Sequence, residues 1–375
     1  MSFVTCKLGD VCLVRRGTTI TQKQAIDGDI PVVAGGLKPT YFHNVANRFN
    51  STITVSGSGA NAGYVNFWKQ PIFASDCSTL EANDSKINIL YIYYFLLGKQ
   101  DYIYEKLRSG AAQPHVYGKD IAEIDIQIPP LLIQQKIVAK LDAIFAEIEK
   151  ATAAAEANVK NAEALFQSYL TEVFERGGKG WKETNLKDIA EYFNGLTYSP
   201  KSVSEEGTVV LRSSNVQSDK ILLKDIVRVN SPIKEKLYVT SGDILMCSRN
   251  GSQRLVGKTA TIGNLDERMT FGTFMMIIRS ESNFFIEWFF KSDLFKRQIA
   301  SGENTMINQI TRYMLDDIVI PLPDIPTQKS ISSKISKLYN TSQQLKLSYT
   351  KKIKELGLYR QSILKQAFNG ELVEE

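Results

Sequence analysis

Gly251, Gly257, Lys258 and Thr259 come nearest to a chemical motif in this sequence. Spaced glycines followed by Lys-Thr mark a loop that cradles phosphate on backbone N–H groups, but that loop needs four residues between its glycines and a helix after them. Here five residues intervene, and residues 259–262 read as a strand, so no nucleotide-phosphate site is expected. The two histidines, His43 and His115, are too few for a histidine-rich metal site and offer little to a histidine-based triad. The four cysteines, Cys6, Cys12, Cys77 and Cys247, form no CxxC pair and read as reduced, packed thiols. No GxSxG elbow, HExxH pair or Asn-Pro-Pro-aromatic signature of adenine methyltransferases occurs. The acidic residues Asp266, Glu267, Asp316 and Asp317 read as solvated or capping groups. With no catalytic constellation, a binding role is expected.

The elements that would position binding groups are written twice. Gln134-Gln135-Lys136-Ile137 and Lys140-Leu141 match Gln328-Lys329-Ser330-Ile331 and Lys334-Ile335, and each stretch follows a proline-rich entry. The same spacing of 194 (328 less 134) places Gln167-Ser168 on Gln361-Ser362 and Phe174 on Phe368. Upstream, Leu8-Gly9-Asp10-Val11 resembles Leu186-Lys187-Asp188-Ile189 and Gly17 falls on Gly195, 178 residues on. Near the unit ends, Ser109-Gly110 falls on Ser301-Gly302 and Ile128-Pro129 on Ile320-Pro321, 192 residues on. The second globular copy thus holds roughly fourteen extra residues, and such internal repetition decides the architecture.

Both helical segments carry heptad-like apolar stripes. In the first these include Ile137, Leu141, Ile148, Phe166 and Tyr169; in the second, Ile331, Ile335, Leu345, Ile353, Leu356 and Ile363. Gly177-Gly178 and Asn369-Gly370 end them. A helix of about forty residues is roughly 60 Å long and cannot bury its stripe on a small domain alone. The expected partner is the other helix, antiparallel, with the stripes also available to dock other subunits.

The expected fold class is α+β: two globular units, each followed by a long helix, with the helices paired as an antiparallel coiled coil and pseudo-twofold internal symmetry. The expected boundaries are 1–128 for the first unit, 129–180 for the first helix, 181–319 for the second unit and 320–375 for the second helix. Short strands are expected at 30–33, 52–55, 64–67, 209–211, 244–247, 258–262 and 274–278, with helical pieces at 89–108 and 286–300. The net charge of +5 splits as +1, −1, +1 and +4 over the four segments, so any nucleic-acid binding must use a local face. No apolar run could cross a bilayer and no signal-peptide pattern opens the chain, so no membrane partner is expected and the cytoplasm is the expected location.

These residues resemble the specificity subunit of a type I restriction-modification system. The likeness rests on Ile128-Pro129-Pro130 with Gln134 through Ile144, its weaker echo in the second helix, the ending Gln361 to Leu372, and Gly242-Asp-Ile-Leu245 with Ser248-Arg-Asn-Gly251. The second helix departs from the usual acidic-glutamine pair with Thr327-Gln328. The resemblance implies two target recognition domains, each reading half of a split site in double-stranded DNA. It implies two methyltransferase subunits as partners, with restriction subunits as further partners. S-adenosylmethionine, ATP and Mg would belong to those subunits, and this chain would hold no cofactor, metal or catalytic residue.

Under that resemblance, three polar loops per unit become candidate DNA contacts. In the first unit they supply Arg15, Arg16 and Thr18; Ser56, Ser58 and Asn61; and Gln113 with His115. In the second they supply Arg212, Ser213, Ser214 and Asn215; Ser248, Arg249, Asn250 and Ser252; and Asn304, Asn308 and Gln309. Lys38, Lys69, Arg254 and Lys258 are candidate phosphate contacts. Arg suits guanine, and Asn or Gln suits adenine. A coiled-coil scaffold binding only proteins is the alternative, and a metal-dependent nuclease a third.

Overall fold

The computed structural model describes residues 4–39, 41–110, 112–300 and 309–372. The chain divides into two compact units, residues 1–156 with 350–375, and residues 157–349. The long helices, Leu131–Thr171 and Ile325–Phe368, therefore each contribute to both. The first continues in a π-helical turn, Glu172–Arg176, which stops at Gly177 with φ of 58°, a left-handed value that glycine adopts cheaply.

In the first unit, strand Val4–Lys7 pairs antiparallel with Asp125–Ile128, bringing the start of the globular part beside its end. A four-stranded antiparallel sheet follows in the order Cys12–Arg16, Cys77–Ala82, Thr52–Ser56, Val65–Trp68. A smaller sheet orders Phe42–His43, Ile30–Val33 and Phe73–Ala74, the last pair parallel. Thr52–Ser56 is buried at every residue although its side chains alternate between Thr or Ser and Ile or Val, so both faces of this central strand are covered.

Helix Ile89–Gly98 is apolar on nearly all sides because it lies in the middle of the core. Asn88 caps it, accepting from the Leu90 N–H at 3.0 Å. Tyr91, Ile92, Phe95 and Leu96 pack with Ile137, Leu141, Phe145 and Ile148 of the first long helix and Ile363, Leu364 and Ala367 of the second. Each such side chain contributes about 1.5–3 kcal/mol by leaving water.

The second unit repeats this connectivity. Lys182–Asn185 pairs with Val319–Leu322, and the main sheet orders Glu191–Asn194, Met275–Arg279, Ile244–Cys247, Thr259–Thr261. The strand at Thr259–Thr261 stands where a phosphate-binding loop would require a helix. The smaller sheet places Thr208–Leu211 parallel to Met269–Phe271. An added hairpin, Val216–Gln217 with Lys220–Ile221, turns through Ser218 and Asp219 at φ of 48° and 61°. It accounts for part of the extra length of this copy.

The copies agree in backbone detail. Leu8 N–H donates to the Ile124 carbonyl at 3.0 Å, and Leu186 N–H to the Ile318 carbonyl at 2.8 Å. Gln134 Nε2 donates to the Pro129 carbonyl at 2.8 Å, and Gln328 Nε2 to that of Pro323 at 2.9 Å. These pairs correct the register at the unit ends. Ile124 corresponds to Ile318, a spacing of 194 (318 less 124), not 192, so Ile128 corresponds to Leu322 and not Ile320. The Ser301-Gly302 match lies outside the described residues.

The long helices run antiparallel within each unit. In the first, Lys140 Nζ donates to the Leu372 carbonyl at 2.7 Å and the Arg360 guanidinium sits 4.6 Å from the Phe145 ring. In the second, Ser342 Oγ donates to the Ala162 carbonyl at 2.8 Å and Phe166 packs on Tyr339. Ile137, Leu141, Ile148, Phe166, Ile335 and Ile363 are buried; Tyr169, Ile331, Ile353 and Leu356 are half-buried. Leu345 departs from the expected stripe. It is 40% exposed, and buried Ser342 holds the seam there by its hydrogen bond. Among the described residues, no helix is long and apolar enough to cross a membrane.

Candidate nucleic-acid interface

Each unit carries a cleft built from four separate chain segments. In the first, the end of strand Cys12–Arg16 supplies Arg16, the loop after Thr52–Ser56 supplies Gly57 and Ser58, and residues 115–119 supply His115, Tyr117 and Lys119. Asp76 lies between them, and the cavity is about 480 Å³. In the second, Asn194 ends its strand, Ser248 and Arg249 follow Ile244–Cys247, and Gln309, Arg312 and Tyr313 complete a cavity of about 540 Å³ with Phe274.

The two clefts share one backbone frame. Gly57 N–H donates to the Asp76 carbonyl at 3.0 Å, and Ser248 N–H to the Phe274 carbonyl at 2.9 Å. Val116 N–H donates to Gly57 at 3.0 Å, and Ile310 N–H to Ser248 at 2.7 Å. Ser58 pairs with His115 by an isolated β-bridge, and Arg249 with Gln309 by another. Gly17 and Gly195 are close-packed in the same way: a Cβ would fall 2.1 Å from the Ser75 carbonyl oxygen and 2.0 Å from that of Gly272. Only glycine lets the chain pass there.

The frame is held from behind by buried polar groups. Arg48, 7% exposed, donates from Nε to Thr79 Oγ1 at 2.8 Å and from its terminal nitrogens to the carbonyls of Asn47 and Arg16. Burial, foremost, lowers its pKa. Burial pushes the Cys77 thiol up to about 12, so it stays protonated in the wall of the cleft. In the second unit the two strands Ile244–Cys247 and Met275–Arg279 are pinned at their far ends, where buried Asp243 accepts from Arg279 Nε at 2.8 Å and from a terminal Arg279 nitrogen at 2.6 Å. Burial raises the Cys247 thiol likewise.

The structure brings together Arg16, Ser58 and His115 in one cleft and Ser248, Arg249 and Gln309 in the other. Ser56 and Ser248 are buried and serve the frame more than a surface. Arg15 lines the first cleft but pairs with Glu81. Asn215 departs from the exposed position expected of it: it is fully buried, its amide donating to the carbonyls of Leu222 and Lys224 and its oxygen accepting from Arg212 N–H, so it shapes its loop from inside. Arg212 donates to the Asp225 carbonyl at 2.8 Å, and Ser213 accepts from Asn250. Thr18, Asn61, Gln113 and Ser252 lie on loops and Ser214 in a 3-10 turn, all outside the cleft linings, and Lys38 and Lys69 are exposed on the first unit. Arg254 and Lys258 line a separate depression with Phe290 and Phe295. Asn304 and Asn308 lie outside the described residues.

Sequence reasoning missed Asp76, Tyr117, Lys119, Asn194, Phe274, Arg312 and Tyr313. Tyr313 is 82% exposed and Phe274 55%, so both rings are accessible at the second cleft. Arg16 and Lys119 line the first cleft with one carboxylate, Asp76, and Arg249 and Arg312 line the second with one, Asp316. Both clefts are thus locally basic on a chain whose globular parts are nearly neutral, an arrangement suited to phosphate and base edges. Among the described residues, no group of three or more His, Cys, Asp or Glu side chains is placed to hold a metal.

Two copies of one α+β frame, each with a basic cleft at the same place and each buttressed by the same two helices, define a protein built by internal duplication. The chain matches the family described as type I restriction modification DNA specificity domain twice, over residues 2–158 and 178–355, and belongs to that family. It is 29% identical over 206 residues to the type I restriction enzyme EcoKI specificity subunit of Escherichia coli strain K12, covering 52% of this chain and 44% of that one. The match therefore spans less than half of that relative's length. It is 24% identical over 307 residues to the MjaVIII specificity subunit of Methanocaldococcus jannaschii, covering 75% of this chain and 71% of the relative. Among solved structures, a chain from work on complex assembly and conformational transition of the type I R-M system superposes with a TM-score of 0.79 at 19% identity, covering 99% of this chain and 98% of that one. The HsdS subunit of Thermoanaerobacter tengcongensis gives 0.57 at 19% identity, covering 99% and 97%. At that identity the likeness is one of fold.

Proposed function

We propose that this chain reads a split target in double-stranded DNA, one half-site per unit, and docks modification subunits through its long helices. The observation that carries the reading is the pair of clefts: one backbone frame, two different sets of side chains. A single reader duplicated without change would select the same half-site twice, whereas divergent side chains on a kept frame select two different ones. The helix stripes are occupied by intrachain packing, so partner subunits would meet the outward residues instead. Leu132, Leu165, Leu345, Leu347, Leu358 and Tyr359 are exposed on the helices and offer apolar contact area. The modification subunits would supply S-adenosylmethionine chemistry, and restriction subunits ATP- and Mg-dependent steps; this chain contributes recognition. The length of the helical segments would set the number of unread bases between half-sites.

The same exposed leucines favour a second reading, a scaffold that binds proteins alone. Salt dependence separates them. A DNA reader making several phosphate contacts loses on the order of 10³-fold or more in affinity between about 50 and 200 mM salt. The expected result for the chain assembled with its modification subunits is tight, sequence-selective duplex binding with that steep salt slope. Indifference to DNA at low salt would overturn the reading and leave the scaffold.

A further inference from the structure

The three loop positions that meet in each cleft correspond one to one. The paired backbone hydrogen bonds and isolated bridges set Ser58 against Arg249, Asp76 against Phe274, and His115 against Gln309. The side chains differ at all three while the frame does not.

In the first unit, Ser58 Oγ donates to Asp76 Oδ2, so the carboxylate is oriented by its neighbour. Among the described residues no donor is bonded to Asp76 Oδ1, which remains an acceptor. In the second unit, the Arg249 guanidinium sits 5.7 Å from the centroid of the Phe274 ring. An aromatic face steadies a guanidinium without consuming its N–H donors. Arg249 and Gln309 are both exposed, and Phe274 is more than half exposed.

We infer that these positions are the base-reading register of the chain, with Arg249 selecting guanine in one half-site and Asp76 selecting cytosine in the other. The inference rests on the DNA-reading role proposed above. A guanidinium fork matches the O6 and N7 acceptors of guanine. A carboxylate accepts from the cytosine N4 amine; guanine and thymine offer it acceptors, and adenine sets an N7 acceptor beside its amine. The Ser58 hydroxyl and the Phe274 ring orient the reading group in their respective clefts and act as positioning residues.

The test is selection from a randomised duplex DNA library by the full chain assembled with the modification subunits of its own genome, followed by sequencing of the bound fraction. The wild-type complex is expected to fix a guanine in one half-site and a cytosine in the other. Arg249→Gln lowers the guanine preference by about 5- to 150-fold and moves it toward adenine, because an amide pairs with adenine N6 and N7. Asp76→Asn moves the cytosine preference toward adenine in the other half-site by a similar factor. Each variant leaves the opposite half-site selected at wild-type strength, which also reports that the chain has folded. If Arg249→Gln loses both halves, Arg249→Lys decides, since it keeps the charge and lacks the fork; a reduced guanine preference with the other half intact is expected. A wild-type motif left unchanged at every position by Asp76→Asn and either Arg249 variant overturns the inference while the DNA-reading role stands. A wild-type complex that selects no motif overturns that role, and the inference with it.

Discussion

Gly17 and Gly195 have different neighbours in sequence but the same neighbour in space, a backbone carbonyl about 2 Å from where a Cβ would sit. Alanine at either position must push the strand end away from the cleft. Gly17→Ala and Gly195→Ala are each expected to cost about 1–3 kcal/mol, as overpacking does. Gly251→Ala, with open space around it, is expected to change stability by under about 0.5 kcal/mol. Urea denaturation of the three variants measures this, and equal effects would contradict the close packing.

Glu287 gives a pH dependence. Burial, foremost, raises its pKa, opposed by the 2.5 Å hydrogen bond from Thr261 and by Lys291. The folded chain therefore holds this proton more tightly than the unfolded chain, and the stabilisation present below the usual glutamate range is lost as pH rises through it toward the folded value. Glu287→Gln is expected to flatten that part of the pH–stability curve and to gain on the wild type as pH rises. Parallel curves for the two proteins would contradict it.

Arg249 and His115, candidates from their polar loops, line the two clefts, whereas Asn215, chosen on the same ground, is buried. A polar residue in a polar loop looks exposed, but the loop around Asn215 folds inward and uses its amide to satisfy two carbonyls. Asp76 and Phe274 were illegible because nothing in their local spacing links them to the residues they meet.

At the scale of elements, the long helices were the most legible feature, since a periodic stripe over forty residues has one physical explanation. Their ends at Gly177 and Gly370 followed from glycine's left-handed freedom. The strands at 30–33 and 52–55 were readable from short β-branched runs, and that at 244–247 from a short apolar run. The closing pairs Val4–Lys7 with Asp125–Ile128 and Lys182–Asn185 with Val319–Leu322 were not, because two of these strands are rich in polar residues and are defined by partners over a hundred residues away.

The stripe itself was right except at Leu345, where a hydroxyl-to-carbonyl hydrogen bond replaces an apolar contact and the leucine turns outward. Ile335→Ala is accordingly expected to cost about 2–5 kcal/mol in thermal or chemical unfolding. Leu345→Ala is expected to cost under about 0.5 kcal/mol in the isolated chain. A large loss at Leu345 would contradict the seam described within the second unit.

At the scale of the whole molecule, the repeat carries the account. Its spacing grows from 178 at Gly17 and Gly195 to 194 at Ile124 and Ile318, and the growth falls in the globular part, where the second copy adds a hairpin. Beyond that point the spacing stays at 194 into the helices. Between the two copies the backbone frame is kept and the cleft side chains differ. The most direct test is sequencing of methylated bases in cells carrying the modification subunits with and without this chain. The account predicts one motif that depends on the chain, made of two unlike halves separated by a fixed number of unread bases. A single uninterrupted motif, or no motif that depends on the chain, would contradict it.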